Sequence, residues 1–306
     1  MRTKVLAKLR DFRWWLPALI GCFATPIHAA AIQADIEAVQ MPAWLVRDGR
    51  AQPLVVGMTV KNGDRIRTGA AARVYVKLAE GSIVKLGEQA DLGFYSRSLK
   101  PASSFKGALD IPKGAFRFTT GALQRGQREV AIRVGTATAA PLANSGGTDL
   151  WGKSDAERDL ILLVEGRIEL KHDDKTLEMA APQTYFAAPR NASPQPLMPV
   201  DPQQFKIWAR ATEMLPGDGM TQRGGLWRVL LARVGSQQAA LAIYDTARSA
   251  GYAAQIKVLS AGGGKSEKGG EWDYQIVLAQ LASEQEALVV AQKIRQQLGF
   301  EAVPTK

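Results

Sequence analysis

Side chains able to do covalent or metal chemistry are few in this sequence and poorly placed for it. The chain has one cysteine, Cys22, and two histidines, His28 and His172. Cys22 and His28 fall in an N-terminal stretch that reads as a removable leader, so the mature chain is expected to keep one histidine and no thiol. A zinc site built on His and Cys, a thiol nucleophile and a disulfide framework are then excluded together. His172 stands beside Asp173-Asp174-Lys175, a turn sequence, where a solvated role is expected rather than a Ser-His-Asp relay. The carboxylates are scattered at turns and helix starts, with no pair set out for glycan hydrolysis. Gly262-Gly263-Gly264-Lys265-Ser266 has the composition of a phosphate loop without its earlier glycine spacing or its following helix, and reads as a flexible hairpin connector. The expectation is a protein that is no enzyme and holds no metal or cofactor.

At 306 residues, with 46% hydrophobic and 22% charged side chains, the chain is long enough for two domains, each with its own core. The first thirteen residues hold five of the 39 Lys+Arg and one of the 29 Asp+Glu, so the remainder carries 34 against 28, a mild basic balance. That basic start leads into the apolar run Trp14 to Phe23 and then small residues around Pro26. The order is that of a secretory signal peptide over residues 1–30, cleaved after one of Ala29 to Ala31. The alternative is that Leu19-Ile20-Gly21-Cys22, which resembles a lipoprotein processing box, makes Cys22 a lipidated first residue. Either route predicts export, to the periplasm or, through Cys22, as an outer-membrane lipoprotein. No later segment has eighteen uninterrupted apolar residues, so no transmembrane helix is expected after the leader.

From residue 37 to 190 short strand-like runs are punctuated by glycine. Arg73 to Leu78 alternates with period two, and Ile83 to Leu86 follows across Glu80-Gly81, which predicts a hairpin. Ile161 to Leu170 and Thr176 to Met179 predict a second, about Asp173-Asp174. Pro112-Lys113-Gly114 and Val164-Glu165-Gly166 are read as further turns. No helical period of useful length occurs before Asp201, so an all-β sandwich or barrel is expected.

Asn62-Gly63-Asp64-Arg65-Ile66-Arg67-Thr68-Gly69, followed by Glu80-Gly81-Ser82-Ile83-Val84-Lys85-Leu86, resembles the FecR domain, with its GDxIxTG turn and acidic-Gly-Ser hairpin. Gly114 to Phe118, Gly135-Thr136 and Val164 to Ile168 fall in that family's order. The sequence departs where the family has Arg directly before Gly-Thr, since Val134 intervenes after Arg133. Ala139 to Asp155 is also longer and richer in Gly and Ser than the family pattern, which predicts a mobile insertion. FecR-like transcriptional regulators carry a cytoplasmic segment and a transmembrane helix ahead of the domain; neither is read here, which argues against a sigma-factor regulator. Physically the motif reads as fold chemistry. Gly63 and Gly69 are expected at positive φ, Asp64 is expected to cap the turn, and Ile66 to point inward.

Residues 191–225 form a proline-rich connector and then a short helix capped by Asp201-Pro202, with Phe205, Trp208 and Met214 on a face expected to pack back on the β domain. Beyond Gly225 the chain repeats itself. Leu231 to Ser236 recurs 47 residues later as Leu278 to Ser283, and Ala240-Leu241 recurs as Ala287-Leu288. Each unit is strand, helix, strand, with Ser236 and Ser283 as caps and Glu286 completing a capping box. Residues 226–306 are thus expected to be an α+β module, βαββαβ, with a four-stranded sheet carrying both helices on one face.

Along its length this module resembles the SPOR domain, whose members bind bacterial peptidoglycan, chiefly glycan strands stripped of peptides, on the open sheet face. The signature residues depart from that family at Val229 to Val234 and at Tyr274 to Gln280. Strand alternation places Val229, Leu231, Ile256, Val258, Ile276 and Leu278 toward the helices, and Arg228, Leu230, Ala232, Gln255, Lys257, Gln275 and Val277 outward. The expected glycan-binding residues are Arg228, Gln255, Lys257, Trp272 and Gln275, with Trp227 or Trp272 as an aromatic platform at the rim. Leu230 and Val277 offer the alternative of an apolar patch for a protein partner. No nucleic-acid ligand is expected, because the sheet lacks stacking positions and the chain is exported. Together these readings predict a FecR-like β sandwich or barrel followed by a SPOR-like α+β module, in an exported envelope protein of a Gram-negative bacterium.

Overall fold

The computed structural model describes residues 32–96, 106–120, 129–142, 146–260 and 272–306. Residues 1–31, with Cys22, His28 and the expected leader, and the glycine-rich stretch 262–266 lie outside the described residues.

The chain opens with β1 (Ile32–Gln40), β2 (Ala43–Arg47), β3 (Arg50–Pro53), β4 (Thr59–Lys61), β5 (Arg65–Thr68), β6 (Arg73–Leu78), β7 (Ile83–Leu86) and β8 (Asp91–Ser96). It continues through β9 (Lys106–Thr119), β10 (Glu129–Val134), β11 (Ala137–Pro141), β12 (Asp149–Ser154), β13 (Arg158–Glu165), β14 (Ile168–His172), β15 (Lys175–Met179), β16 (Thr184–Pro189) and β17 (Met198–Pro199). Two sheets result. One runs β4-β1-β6-β7-β9-β12-β13-β16-β17 and the other β3-β2-β5-β8-β9-β10-β11-β14-β15. Only the β9–β10 pairing is parallel among these. Ile36, Val74, Val76, Phe116 and Phe118 of the first sheet pack on Ile66, Leu92, Phe94, Leu109 and Ile132 of the second in one core. The expected all-β architecture is therefore a two-layer sandwich.

β9 belongs to both sheets, and this corrects the reading of Pro112-Lys113-Gly114 as a turn. Before it, the strand pairs β8 and β10; after it, β7 and β12. The crossing needs Gly114, whose φ is +95° and where a Cβ would fall 2.4 Å from Ala90. Gly166, at φ +89°, makes the same change of sheet between β13 and β14, so Ile161 to Leu170 is two strands. Both hairpins form, with Val74 opposite Leu86 and Leu170 opposite Leu177. His172 is not solvated as expected. Its side chain is 13% exposed, Nδ1 lies 3.1 Å from Asp173, and the ring tilts against Phe186 at 5.5 Å.

The FecR-like motif residues are structural. The Asp64 carboxylate accepts the Lys61 N–H at 2.7 Å and a bidentate pair from Arg47 at 2.8 and 2.6 Å, while Ile66 is fully buried. Gly63 has the expected positive φ of +85°. Gly69 does not; what it supplies is room, since a Cβ there would sit 2.8 Å from Pro42. Among the described residues of Ala139 to Asp155, most are strand rather than an added loop. β12 pairs on both sides and buries Trp151, so it is an inner strand.

After β17, α1 (Pro202–Arg210) begins at Asp201, whose carboxylate accepts the N–H of Gln203 and Gln204. It packs on the outer face of the first sheet, as its apolar stripe predicts. Trp208 lies flat on Trp151 (5.1 Å, 1°) and edge-on to Tyr185 (5.4 Å). Just beyond, Glu213 meets Lys85 at 2.7 Å and Arg117 at 3.1 Å and accepts the Tyr75 hydroxyl at 3.1 Å. Burial raises the Glu213 pKa, but the hydrogen bond and charge of Lys85, with Tyr75 and Arg117, outweigh it and hold the carboxyl below its ordinary range. Burial pushes Tyr75 up to about 12, so it stays a donor at neutral pH. A carboxyl held low stabilises the fold fully above its unfolded pKa, near 4.3, and loses that contribution as pH falls through the folded value. Urea titrations at pH 6 and pH 3 are therefore expected to show a smaller acid loss in Glu213→Gln than in the parent, by on the order of 1 kcal/mol. Equal losses in both proteins refute the assignment.

The C-terminal module follows: β18 (Met220–Gln222), β19 (Trp227–Val234), α2 (Gln237–Ser249), β20 (Ala254–Ser260), β21 (Trp272–Leu281), α3 (Glu284–Leu298) and β22 (Val303–Thr305). Its sheet order is β22-β19-β21-β20, all antiparallel, with Ala240, Ala247, Ala287, Val290 and Ile294 of the helices on Val229, Leu231, Ile276 and Leu278. This is the split βαβ arrangement expected of two strand-helix-strand units. β18 pairs with β1 on one side and, through Thr221 opposite Leu281, with β21 on the other. Gly251, at φ +86°, lies against Trp44 and Pro42 where a Cβ would be 2.5 Å from the indole, and its carbonyl accepts the Ala43 N–H. Ser283 caps α3 by accepting the Glu286 N–H at 3.3 Å, but the Glu286 carboxylate does not complete the capping box. It turns outward and accepts the backbone N–H groups of Gly217, Gly219 and Met220.

Candidate binding face

The outer surface of the C-terminal sheet is organised by two irregularities in strand pairing. Between β19 and β21 the register shifts at Trp227/Val229 and again at Leu230/Ala232. The second adds Leu231 to β19. Val229 and Leu231 both face the core, Ala232 sits opposite the inward Ile276, and Arg233 emerges opposite Gln275. Ala232 was expected outward; the bulge turns it in and puts Arg233 in its place. The first shift falls near Gln280, which takes φ +64°.

Cross-strand partners share a face, so the open side carries two adjacent rows. Arg233, Gln275 and Lys257 lie side by side across three strands. Val303, Leu230, Val277 and Gln255 form the next row, in which Val277 is 3% exposed and Val303 45%. Asp273, two residues before Gln275, forms an ion pair with Arg233. Arg228 projects beyond the apolar row, opposite Thr305. Alternation along β19 and the bulge give Arg228, Leu230 and Arg233 to this face, with donors at both ends and an apolar band between.

Of the five residues expected to bind glycan, Arg228, Gln255, Lys257 and Gln275 share the open face. Gln275 and Lys257 are direct neighbours, Gln255 is one row away, and Arg228 lies on the far side of Leu230. Trp272 is not with them. It is in phase with Tyr274, Ile276 and Leu278, so it lies on the helix side, 55% exposed past the helices, with Val258 equally exposed on the same side. Trp227 packs against the core. No aromatic ring therefore lies on the described part of the open face, and the expected stacking platform is absent there. Arg233 was missed because a bulge leaves no mark in strict alternation.

No protein-family model matches the sequence, and no curated protein matches it. Among solved structures, the chain is similar to two crystal structures of a "putative anti-sigma factor" from Parabacteroides distasonis, each at 14% identity. One alignment covers 47% of this chain and 64% of that one, with a TM-score of 0.39. The other covers 77% and 91%, with a TM-score of 0.38. In the first, the chain spans under two thirds of the length of the structure it matches.

Proposed function

We propose that this protein is a non-enzymatic envelope scaffold, exported to the periplasm, whose C-terminal sheet face binds the glycan strands of peptidoglycan while the β sandwich holds that face in position. The observation that carries the reading is the row of Arg233, Gln275 and Lys257, three side chains with multiple N–H donors in lateral register on an open sheet. A sugar chain presents hydroxyls to such a row and its C–H faces to the neighbouring Leu230 and Val303. The resemblance of residues 226–306 to SPOR domains supports the choice of glycan.

The second reading is a protein partner, favoured by the accessible apolar pair Leu230 and Val303 packed on the buried Val277. The two separate by mutation. If glycan binds, Lys257→Ala with Gln275→Ala weakens co-sedimentation with purified sacculi about tenfold or more, a loss of about 1.4 kcal/mol, while Leu230→Ser changes it little. If protein binds, Leu230 is the desolvated centre and the order reverses. Full retention on sacculi by the Lys257/Gln275 variant, with its fold verified by circular dichroism, rejects the glycan reading.

A further inference from the structure

The C-terminal sheet ends on one side in β20, which pairs with β21 and has no strand partner on its other edge among the described residues. At seven residues it is the longest free edge among them, against two to five residues in β17, β4, β22, β3 and β15. Short or charged edges resist the addition of another strand. β15, the next longest, carries Lys175 and Glu178, whereas the single charge in β20 is Lys257.

Between this edge and α2 runs a shallow groove of about 460 Å³, lined by Leu241, Tyr244 and Arg248 of α2, by residues 253–256 and by Val55. Leu241 is 42% exposed, and Val258, in phase with Ile256 on the helix side, extends the apolar strip along the strand. Arg248 is the one charged residue in the lining. Its guanidinium lies 5.0 Å over the Tyr244 ring and forms no ion pair among the described residues, Asp245 on the same helix included. Lys257, on the open side of β20, is likewise without an ion-pair partner among the described residues.

The occupant follows from backbone and charge together. An unpaired edge offers its N–H and C=O groups to an extended chain, and cations with no acid beside them favour an acidic one. A second copy of β20 is a poor match. Ala254–Ser260 is centred on Lys257, so two copies in full antiparallel overlap set Lys257 against its own counterpart, with no carboxylate in the strand to answer it. We propose that the free edge of β20 captures an extended acidic segment of a partner protein, added antiparallel, as every pairing in this four-stranded sheet is. In that register, apolar side chains opposite Ile256 and Val258 fall on the helix side with Leu241. One carboxylate meets Lys257, and another, opposite Ala254, meets Arg248. The site shares Lys257 with the glycan row and is otherwise distinct from it.

The probe is the peptide acetyl-Ser-Thr-Val-Glu-Val-Thr-Glu-amide, whose glutamates fall opposite Lys257 and Ala254, titrated beside its Glu-to-Lys counterpart into the intact two-domain protein. Saturable one-to-one binding is expected, about tenfold or more tighter for the acidic peptide. Arg248→Glu weakens it about tenfold or more and Leu241→Ser about threefold, with each fold verified by circular dichroism. Bound peptide slows amide hydrogen exchange along β20 about tenfold and leaves β22, the other free edge of this sheet, unchanged. Neither Arg248 nor Leu241 lies on the open face, so failure here is separate from failure of the glycan reading. Equal affinity for the two peptides, parental binding by Arg248→Glu, unchanged exchange in β20, or no binding at about 1 mM peptide overturns the proposal. A dimer in sedimentation equilibrium whose β20 is protected without peptide overturns it in favour of a second copy.

Discussion

Asp159→Ala is expected to cost the β sandwich roughly 3–5 kcal/mol, the penalty for breaking a buried charge pair from one side. The Asp159 carboxylate is fully buried between the two sheets' edges. It accepts the Thr136 backbone N–H and hydroxyl, both at 2.8 Å, and the Arg190 guanidinium at 2.8 and 2.6 Å. Alanine leaves the Arg190 guanidinium, 29% exposed, with only the Ser154 hydroxyl and the Asp155 carbonyl as acceptors, and takes away the acceptor of the Thr136 amide. The melting temperature should fall by about 10 °C. Gly135 gives the claim a second arm. A Cβ there would sit 2.1 Å from the carboxylate at φ +55°, so Gly135→Ala alone should be severe. In the Asp159→Ala background the steric part of that cost disappears, and the double variant should be markedly more stable than additivity predicts. Strict additivity, or a fall of less than about 2 °C for Asp159→Ala, would show that the carboxylate is not the keystone of this corner.

Glu286→Ala should release the connector from the C-terminal module, at a cost on the order of 2–4 kcal/mol for three charge-assisted hydrogen bonds made by a side chain 3% exposed. The Gly217 and Met220 amides reach it at 2.7 and 2.9 Å, and Gly219 completes the set. Positive φ at Gly217 and Gly219, +88° and +90°, is what lets successive N–H groups converge. Glu286→Gln should fall between, because it keeps one acceptor oxygen and presents an NH2 to an N–H. Amide hydrogen exchange at 217–220 reads the effect directly and should quicken by about a hundredfold. Exchange at parental rates in the alanine variant sinks the clasp.

What was legible in the sequence was local. The hairpins, the Asp64 cap, the burial of Ile66, the Asp201 cap and the split βαβ order all follow from period-two alternation, turn chemistry and repeat length, which act within a few residues or within one unit. What escaped reading was set by distant neighbours. Gly69 was assigned a backbone role, but its constraint comes from Pro42. Pro112-Lys113-Gly114 has turn composition, yet Ala90 and two pairing strands hold it as the bend of one strand. Glu286 sits where a capping box wants it, and three amides from another segment compete successfully for its carboxylate. On the candidate face, Gln255, Lys257 and Gln275 share one side because alternation holds along β20 and the first part of β21, and Arg228 joins them because it precedes the Leu231 insertion in β19; Arg233, which follows that insertion, escapes strict alternation, and the phase of Trp272 puts it on the helix side rather than the rim.

The three residues of β18 also set the mechanics of the molecule. Since β18 hydrogen-bonds to β1 along Ala38–Gln40 and touches β21 at Leu281, a pull on the open sheet face is carried into the sandwich through backbone. Gly251 against Trp44 adds a second point of attachment, and Glu286 ties the start of β18 itself to α3. These contacts restrict the rotation of the module about β18. On the proposed glycan reading, the protein would act as a bracket that fixes the angle of the C-terminal sheet to the sandwich, and tension on the open face would load β18 before it loads either core.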